Sequence, residues 1–231
     1  MNKTGWIIFT VVVVLLLGGL IAWTRITNPP LDVSDVKNNS VIAASEKNGN
    51  ISDHTTGSTA NKIILIEYGD YQCPSCGAAF DNVNSLIDEY GDTITFIFRN
   101  FPLTSMHPNA RAAAAVAEAA GLQGKYWEMH DKLYTGQNDW STLDATKRTD
   151  LFTTYAKDLK LDVDKFTADL TEKSVAQKIN FDTAVGKAAS VSATPTFFLN
   201  GDKVDDETSS GIVQGDLSNI KAKLDELIGK K

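Results

Sequence analysis

Two cysteines, Cys73 and Cys76, stand in the stretch EYGDYQCPSCGAAF, separated by Pro74 and Ser75, and the 231 residues contain no others. Such a pair can be half of a zinc site, a structural disulfide or a redox-active dithiol. A structural zinc site needs four ligands, and the three histidines are scattered through unlike segments. A disulfide that closes so small a loop restrains the unfolded chain little. The pattern therefore favours a redox-active pair, with the other two interpretations kept open.

Cys73 is predicted to be the N-cap of a helix. The segment from Pro74 to Tyr90 repeats apolar residues at helical spacing, and a proline is well suited to the first helical position. Free N–H groups and the helix dipole favour a thiolate, so the pKa of Cys73 is expected to lie below the free value of about 8.5. Cys76, one turn later, is expected to be the more buried cysteine and to close the disulfide. Ser75 carries no charge, so it adds less stabilisation than a histidine there.

The elements around the cysteines follow the order β-α-β, a helical block, and β-β-α. The continuous apolar run KIILIEY (62–68) is typical of a strand buried on both faces, and TITFIFRNF (93–101) predicts a second strand. Residues 105–190 have helical patterns, and strand 196–199 runs into Asn200-Gly201, a strong hairpin signal. An amphipathic helix follows. The predicted fold class is α/β, with a helical insertion at about 105–190 in a unit that spans residues 61–231.

Glu67 and the pair Thr194-Pro195 are further candidates for chemistry. Glu67 ends an apolar strand six residues before Cys73, where desolvation raises the pKa of a carboxyl group. It is interpreted either as a proton acceptor for Cys76 or as a strand-end glutamate that reaches solvent. Pro195 precedes an apolar strand, to which it would deny one ladder hydrogen bond. If its peptide bond is cis, the backbone of Thr194 can face Cys73.

Two weaker candidates carry competing interpretations. His107 either faces an active-site groove or only caps the helix that follows it. An acidic cluster near the hairpin forms either a calcium site or a solvated acidic loop, of which the loop is favoured; its members are Asp202, Asp205, Asp206 and Glu207. No metal and no separate cofactor are expected.

Residues 1–24 predict a transmembrane anchor. The chain carries no charge from Thr4 to Thr24, and Gly5 to Trp23 as a helix spans roughly 28 Å, close to the thickness of the hydrocarbon core of a bilayer. A cleaved signal peptide is the alternative, although the cleavage signal is weak. Residues 25–60 are polar and contain several Pro and Gly, which predicts a disordered linker with His54 as a solvated residue. A net charge of −7 argues against a protein that binds nucleic acid.

The stretch ILIEYGDYQCPSC, the later SATPTFFLNG and the helical block between them resemble the DsbA family of thioredoxin-fold thiol-disulfide oxidoreductases, especially its membrane-tethered bacterial members. The resemblance covers roughly residues 61–231 and implies a thioredoxin-like fold with an inserted helical domain. It also implies roles for the candidate residues, with Pro74, Ser75 and Thr194 tuning the site: Cys73 as nucleophile, Cys76 as resolving cysteine, Pro195 as cis-proline and Glu67 as buried acid. Many family members carry His inside the C-x-x-C motif, where this chain has Ser75.

The resemblance implies a single-pass protein of the cell membrane with an extracytoplasmic catalytic domain. It would introduce disulfide bonds into reduced or unfolded exported proteins, with the Cys73–Cys76 disulfide as its redox group, and a quinone-linked membrane partner of the DsbB or VKOR type would reoxidise it. The alternatives are a reductase or isomerase on the same fold, or a tethered binding module with a structural disulfide. Isomerases of this superfamily typically add a dimerisation module, which the short, polar residues 24–60 do not supply, so a monomer is expected.

Overall fold

The computed structural model describes residues 3–27, 31–58 and 63–229, and the chain divides into two units after Asp32. Among its described residues, the first unit contains the helix α1 (Lys3–Thr27). Within the described residues, the segment Lys3–Leu20 is the one stretch of helix long and apolar enough to cross a membrane, and none of it is buried. The helix is compatible with the predicted single-pass anchor and continues three residues beyond the predicted end at residue 24.

The second unit is a five-stranded sheet with helices, in the strand order β1-β3-β2-β4-β5. The pair β2 and β3 is parallel, and the other neighbouring pairs are antiparallel. The strands are β1 (His54–Gly57), β2 (Ile63–Gly69), β3 (Ile94–Asn100), β4 (Thr196–Leu199) and β5 (Asp202–Lys203). The helices are α2 (Pro74–Tyr90), α3 (Ala110–Gly121), α4 (Tyr126–Thr135), α5 (Gln137–Trp140), α6 (Ala145–Asp158), α7 (Val163–Asp169), α8 (Lys173–Ala188), α9 (Asp206–Gln214) and α10 (Ser218–Ile228).

The sheet topology brings the two predicted active-site segments together at one end of the strands. β2 and β4 are antiparallel neighbours, and Tyr68 near the end of β2 pairs with Thr196 at the start of β4. The chain leaving β2 reaches Cys73 four residues after Gly69, and Pro195 directly precedes β4. Segments far apart in sequence therefore meet at the end of the central strand.

Helices α3 to α8 lie between β3 and β4 and form the predicted helical insertion. Eight of the twelve residues of α3 are buried. Most of these are alanines, whose small side chains let neighbouring elements pack closely against the helix. On α4, Tyr126, Met129, Leu133 and Tyr134 are buried. The α/β class, the insertion and the thioredoxin-like topology agree with the prediction.

Residues 33–58 belong to the folded unit, so the prediction of a disordered linker is wrong for this part of the chain. β1 pairs with β3. The carboxylate of Asp53 lies 2.8 Å from the guanidinium of Arg99 and 3.1 Å from the ammonium of Lys178, and all three side chains are fully buried. Arg99 also donates to Asn38 at 2.7 Å. The polar residues of this segment are thus the partners of charges buried elsewhere in the fold.

His54, predicted to be solvated, lies against the helical insertion. Its Nε2 is 2.8 Å from the buried carboxylate of Glu118, and its ring stacks on Tyr126 with 3.4 Å between the ring centres. The polar composition of this segment resembles that of a disordered one. Composition alone does not show that residues distant in sequence bind these polar groups and order the segment. The predicted domain boundary at residue 61 lies outside the described residues.

The hairpin predicted at Asn200-Gly201 is confirmed. Both residues have left-handed φ values, 52° and 98°, as a type I′ turn requires. In the acidic cluster beyond it, Asp205 has a structural role: it caps α9 by accepting a hydrogen bond from Thr208 N at 2.8 Å, and it pairs with Lys223 at 3.1 Å. In the described part of the chain, no group of three or more His, Cys, Asp or Glu side chains is arranged to hold a metal ion.

Candidate active site

Cys73 is the N-cap residue of α2, and Pro74 occupies the first turn, as predicted. The Cys73 N–H donates to Asp70 O at 3.0 Å, and its carbonyl accepts the helical hydrogen bond from Gly77 N at 3.1 Å. The sulfur is therefore placed at the start of the helix, where free N–H groups and the positive end of the dipole lie. Both cysteines are free thiols, and Cys73 is 6 % exposed against 1 % for Cys76. Cys76 is the more buried of the two, as predicted, although Cys73 is buried as well.

The environment separates the two cysteines into a thiolate and a thiol. A hydrogen bond from the Cys76 side chain is the largest influence that lowers the pKa of Cys73, to about 5. Hydrogen bonds from Thr194 and from the backbone of Cys76 and Ser75 act in the same direction, against the effect of burial. Burial, followed by the hydrogen bond to Cys73 and the charge of Glu67, raises the pKa of Cys76 well above its usual value. At neutral pH the reduced pair of cysteines thus carries one negative charge, on Cys73.

Thr194-Pro195 is a cis peptide bond, as predicted, and it lies beside Cys73. The Cys73 thiol donates to the carbonyl oxygen of Thr194, with 3.3 Å between sulfur and oxygen. The Thr194 hydroxyl is buried and has no hydrogen-bond partner among the described residues while Cys73 is a thiol. A thiolate can no longer donate to the carbonyl, but it can accept from this hydroxyl, and hydrogen bonding by Thr194 lowers the pKa of Cys73.

Glu67 does not reach solvent. It lies in β2 between Phe98 of β3 and Phe197 of β4, and it is only 4 % exposed. Burial, followed by the nearby charge of Cys73, raises the pKa of Glu67 from 4.5 to about 8. At neutral pH this carboxyl group holds a proton next to a dithiol, which supports the interpretation as a proton-transfer group rather than a solvated strand end.

Asp70, which sequence reasoning missed, supports the turn that leads to Cys73. Its carboxylate is buried, and it accepts hydrogen bonds from Gln72 N and Leu103 N, both at 2.8 Å. His107 Nδ1 lies 2.8 Å from the same carboxylate, and the His107 side chain is 18 % exposed. Asn109 is the N-cap of α3, so His107 supports the active-site turn through Asp70 instead of capping that helix.

Two glutamines connect the same turn to the helical insertion, and both were missed. Gln72 accepts from Asn109 N at 2.6 Å and donates to Ser141 O at 2.7 Å. Gln137 donates to Tyr71 O at 2.7 Å and to Cys73 O at 2.9 Å. Asp70 and Gln72 adjoin Cys73 in the sequence, so proximity was a usable signal for them. Gln137 lies 64 residues after Cys73 and gave no such signal.

Solved structures share this fold, among them BdbD and alpha-DsbA2. BdbD from Bacillus subtilis aligns with a TM-score of 0.58 at 23 % identity, over 77 % of this chain and 100 % of that chain. The thiol-disulfide exchange protein alpha-DsbA2 from Wolbachia pipientis aligns with a TM-score of 0.60 at 20 % identity, over 76 % of this chain and 87 % of that chain. At these identities the likeness establishes the fold alone.

One protein that is similar in sequence is named as an antiporter, unlike the solved structures above. The Na(+)/H(+) antiporter NhaA 1 of Salinispora arenicola is 40 % identical over 149 residues, which is 64 % of this chain and 22 % of the antiporter. The chain therefore spans about a fifth of the length of this relative. The thioredoxin family model matches residues 49–215, most of the chain and all of the site described above. Together with the shared fold, this match shows that the chain belongs to the thioredoxin family.

Proposed function

We propose that this chain is an extracytoplasmic thiol-disulfide oxidoreductase that introduces disulfide bonds into exported proteins. The observation that carries the proposal is the asymmetry of the two cysteines. Cys73 lies at the start of α2 with a pKa lowered to about 5, beside a buried Cys76 whose pKa is raised. A low-pKa sulfur at a helix N-terminus is typical of redox-active cysteines, whereas a structural cysteine in an apolar interior is inert.

The reaction begins with the disulfide between Cys73 and Cys76. A thiolate of the reduced substrate attacks Cys73 Sγ, because this is the more accessible sulfur. The bond between the two enzyme sulfurs breaks, and Cys76 leaves as a thiolate that takes up a proton. Glu67 holds a proton at neutral pH and influences the pKa of Cys76, so it supplies that proton and recovers one from solvent.

The second step resolves the mixed disulfide. A second substrate thiolate attacks the substrate sulfur bound to Cys73, the new substrate disulfide forms, and Cys73 leaves as a thiolate. Two electrons pass from the substrate to the enzyme. Hydrogen bonds from Thr194 and the helix start stabilise the leaving thiolate, which makes this step fast. In reoxidation the order is reversed: Glu67 first releases its proton to solvent and then, as the carboxylate, accepts the proton of Cys76.

The direction of exchange follows from the same stabilisation. A thiolate that is stable in the reduced enzyme makes reduction of the enzyme favourable, so the enzyme tends to oxidise its substrates. Ser75 adds no positive charge, so we infer a strong but not extreme oxidant. Reductase activity is the alternative, and it requires a reduction potential at or below the value of about −270 mV for thioredoxin.

The membrane setting rests on α1 and on the chemistry. Disulfides persist beyond the cytoplasmic membrane, so α1 would hold the catalytic unit where its products are stable. Reduced or unfolded exported proteins are the inferred substrates, the protein acts as a monomer, and a quinone-linked membrane protein of the DsbB or VKOR type is the inferred reoxidant. Antiport is not proposed, because the match covers 22 % of the antiporter and the described residues contain one helix suited to span a membrane.

The test uses the full chain in detergent micelles, oxidised beforehand. It is expected to restore disulfides in a reduced, unfolded substrate protein, and equilibration with glutathione buffers should give a potential well above that of thioredoxin. Cys73→Ser should abolish the reaction. In Cys76→Ser, the Cys73 thiolate should attack a substrate disulfide such as that of insulin, release one substrate thiolate and accumulate as a mixed disulfide. Efficient insulin reduction with a potential near −270 mV would show a reductase, and no exchange in either assay would show a structural disulfide.

A further inference from the structure

The turn that presents Cys73 is held by a side chain from the helical insertion. We propose that Gln137 is a positioning residue, which fixes the backbone of residues 71–73 so that the start of α2 faces the Cys73 sulfur. This inference deepens the proposed function, since it names a residue that prepares the attacking sulfur of the same site.

The contact is made by one amide nitrogen and two carbonyl groups. Gln137 Nε2 donates one hydrogen to Tyr71 O at 2.7 Å and the other to Cys73 O at 2.9 Å. An amide nitrogen has two hydrogens, so both are used on this turn. The Cys73 carbonyl is also the acceptor of the first helical hydrogen bond, from Gly77 N. Gln137 therefore bonds to the peptide group that joins the turn to α2.

The insertion gives Gln137 a rigid base. Trp140 at the end of α5 is fully buried, its Nε1 donates to Leu133 O at 2.8 Å, and its ring packs on Phe152 with 5.4 Å between the ring centres. The next residue, Ser141, accepts the hydrogen bond from Gln72 through its carbonyl oxygen. The region around α5 thus holds three consecutive residues of the turn, namely 71, 72 and 73.

Gly77 provides a second, independent observation. A Cβ added to Gly77 would lie 2.5 Å from Oε1 and 3.1 Å from Nε2 of Gln137. Glycine is unfavourable inside a helix compared with alanine. Its presence in the first turns of α2 leaves the space that the Gln137 amide fills.

The consequence concerns the negative charge on Cys73. Without the amide, two carbonyl groups lose their donor and the turn must shift or admit water. The N–H groups of Ser75 and Cys76, which stabilise the thiolate, would then be less well aligned with the sulfur. The pKa of Cys73 is expected to rise by about one pH unit, so that its thiolate fraction in acid falls about tenfold.

The experiment compares three variants of the full, reduced chain in detergent micelles: Gln137→Met, Gly77→Ala and the double variant. Methionine matches the length of glutamine but donates no hydrogen bond. Alanine at position 77 strengthens the helix while displacing the amide of an unchanged Gln137. The pKa of Cys73 is read from the rate of iodoacetamide alkylation against pH, with the labelled peptide identified by mass spectrometry. Gln123→Met is the matched control, because the Gln123 amide also bonds to backbone groups, but at Asp162 instead of the active-site turn.

Both single variants should raise the pKa of Cys73, and the double variant should raise it no further than Gln137→Met alone, because the two changes remove the same contact. The control should leave it unchanged. If folded Gln137→Met keeps the wild-type value, the proposal is overturned. If Gln137→Met does not fold, Gly77→Ala is measured alone, and an unchanged pKa of Cys73 in that variant overturns the proposal. The titration needs no substrate, so it is independent of the proposed function. If the wild-type protein exchanges no disulfides, the proposed function is rejected, but the effect of Gln137 on the pKa of Cys73 can still be tested.

Discussion

Replacing Glu67 with glutamine tests whether the site keeps a buried proton for exchange. Burial raises the pKa of Glu67 from 4.5 to about 8. Between these pH values the folded protein holds a proton that the unfolded chain has released, so the free energy of unfolding falls as the pH rises. A difference of about 3.5 pH units, at about 1.4 kcal/mol per unit, corresponds to roughly 5 kcal/mol well above pH 8 and about 3 kcal/mol at pH 7.

Glutamine has nearly the same shape as glutamic acid and cannot ionise. The Glu67→Gln protein is therefore expected to be more stable than the wild type by about 3 kcal/mol at pH 7, with little difference near pH 4. Urea denaturation of the reduced full chain in micelles measures this, because the pKa of about 8 includes the charge that Cys73 carries only in the reduced protein. Glu128→Gln is the matched control, since Glu128 is about half exposed and pairs with Lys125 at the surface. Its effect should be below about 1 kcal/mol.

The same variant should exchange disulfides more slowly, because Cys76 loses the carboxyl group of Glu67 that gives or accepts its proton. General acid-base catalysis is worth about 10²- to 10⁴-fold, and water can replace part of it, so a loss of about tenfold or more is expected in a stopped-flow assay. A gain in stability combined with a loss of rate is the signature of a functional buried acid. A Glu67→Gln protein that is less stable at pH 7, or that exchanges as fast as the wild type, would refute this reasoning.

Three other predictions concern single side chains. Asp53→Ala should lower the free energy of unfolding by about 3–5 kcal/mol in urea denaturation, because the buried guanidinium of Arg99 loses its carboxylate. Lys178 keeps only its second carboxylate, that of Asp182. A loss below about 1 kcal/mol would show that the segment is not integral to the fold. Thr194→Val should raise the pKa of Cys73 in an alkylation titration, since valine keeps the shape but loses the hydroxyl, and an unchanged value would contradict that role. Iodoacetamide at pH 6 should label Cys73 before Cys76, and peptide mapping that finds the reverse order would exchange their roles.

Local patterns predicted the parts of the fold that depend on local forces. The apolar run of β2 is typical of a strand buried on both faces, and proline is favoured at the first position of a helix. The position of Cys73 at the N-cap therefore followed from a few adjacent residues. The turn at Asn200-Gly201 was equally readable, since few residue pairs tolerate two left-handed φ values. The raised pKa of Glu67 followed from its position in a buried strand.

The remaining features depend on partners that are distant in sequence. The segment around Asp53 has a polar composition, and its order comes from Arg99 and Lys178, which lie 46 and 125 residues away. A charged residue in an apolar strand, such as Arg99 in TITFIFRNF, was the one available sign that a buried partner was needed. Gln137 is similar: a glutamine after a glycine has no pattern of its own, and its role depends on the packing of α5 against the turn.

The charges of the site are expected to change together through the redox cycle. In the reduced protein the Cys73 thiolate helps to keep Glu67 protonated, because its charge adds to the effect of burial on the pKa of that carboxyl group. When the disulfide forms, this charge disappears and the pKa of Glu67 should fall, so the carboxyl group more readily releases a proton. Cys76 must also lose its proton to form the disulfide, and Glu67 is coupled to Cys76 as well. One buried acid can therefore link the loss of electrons at the sulfurs to the loss of protons from a site that solvent barely reaches.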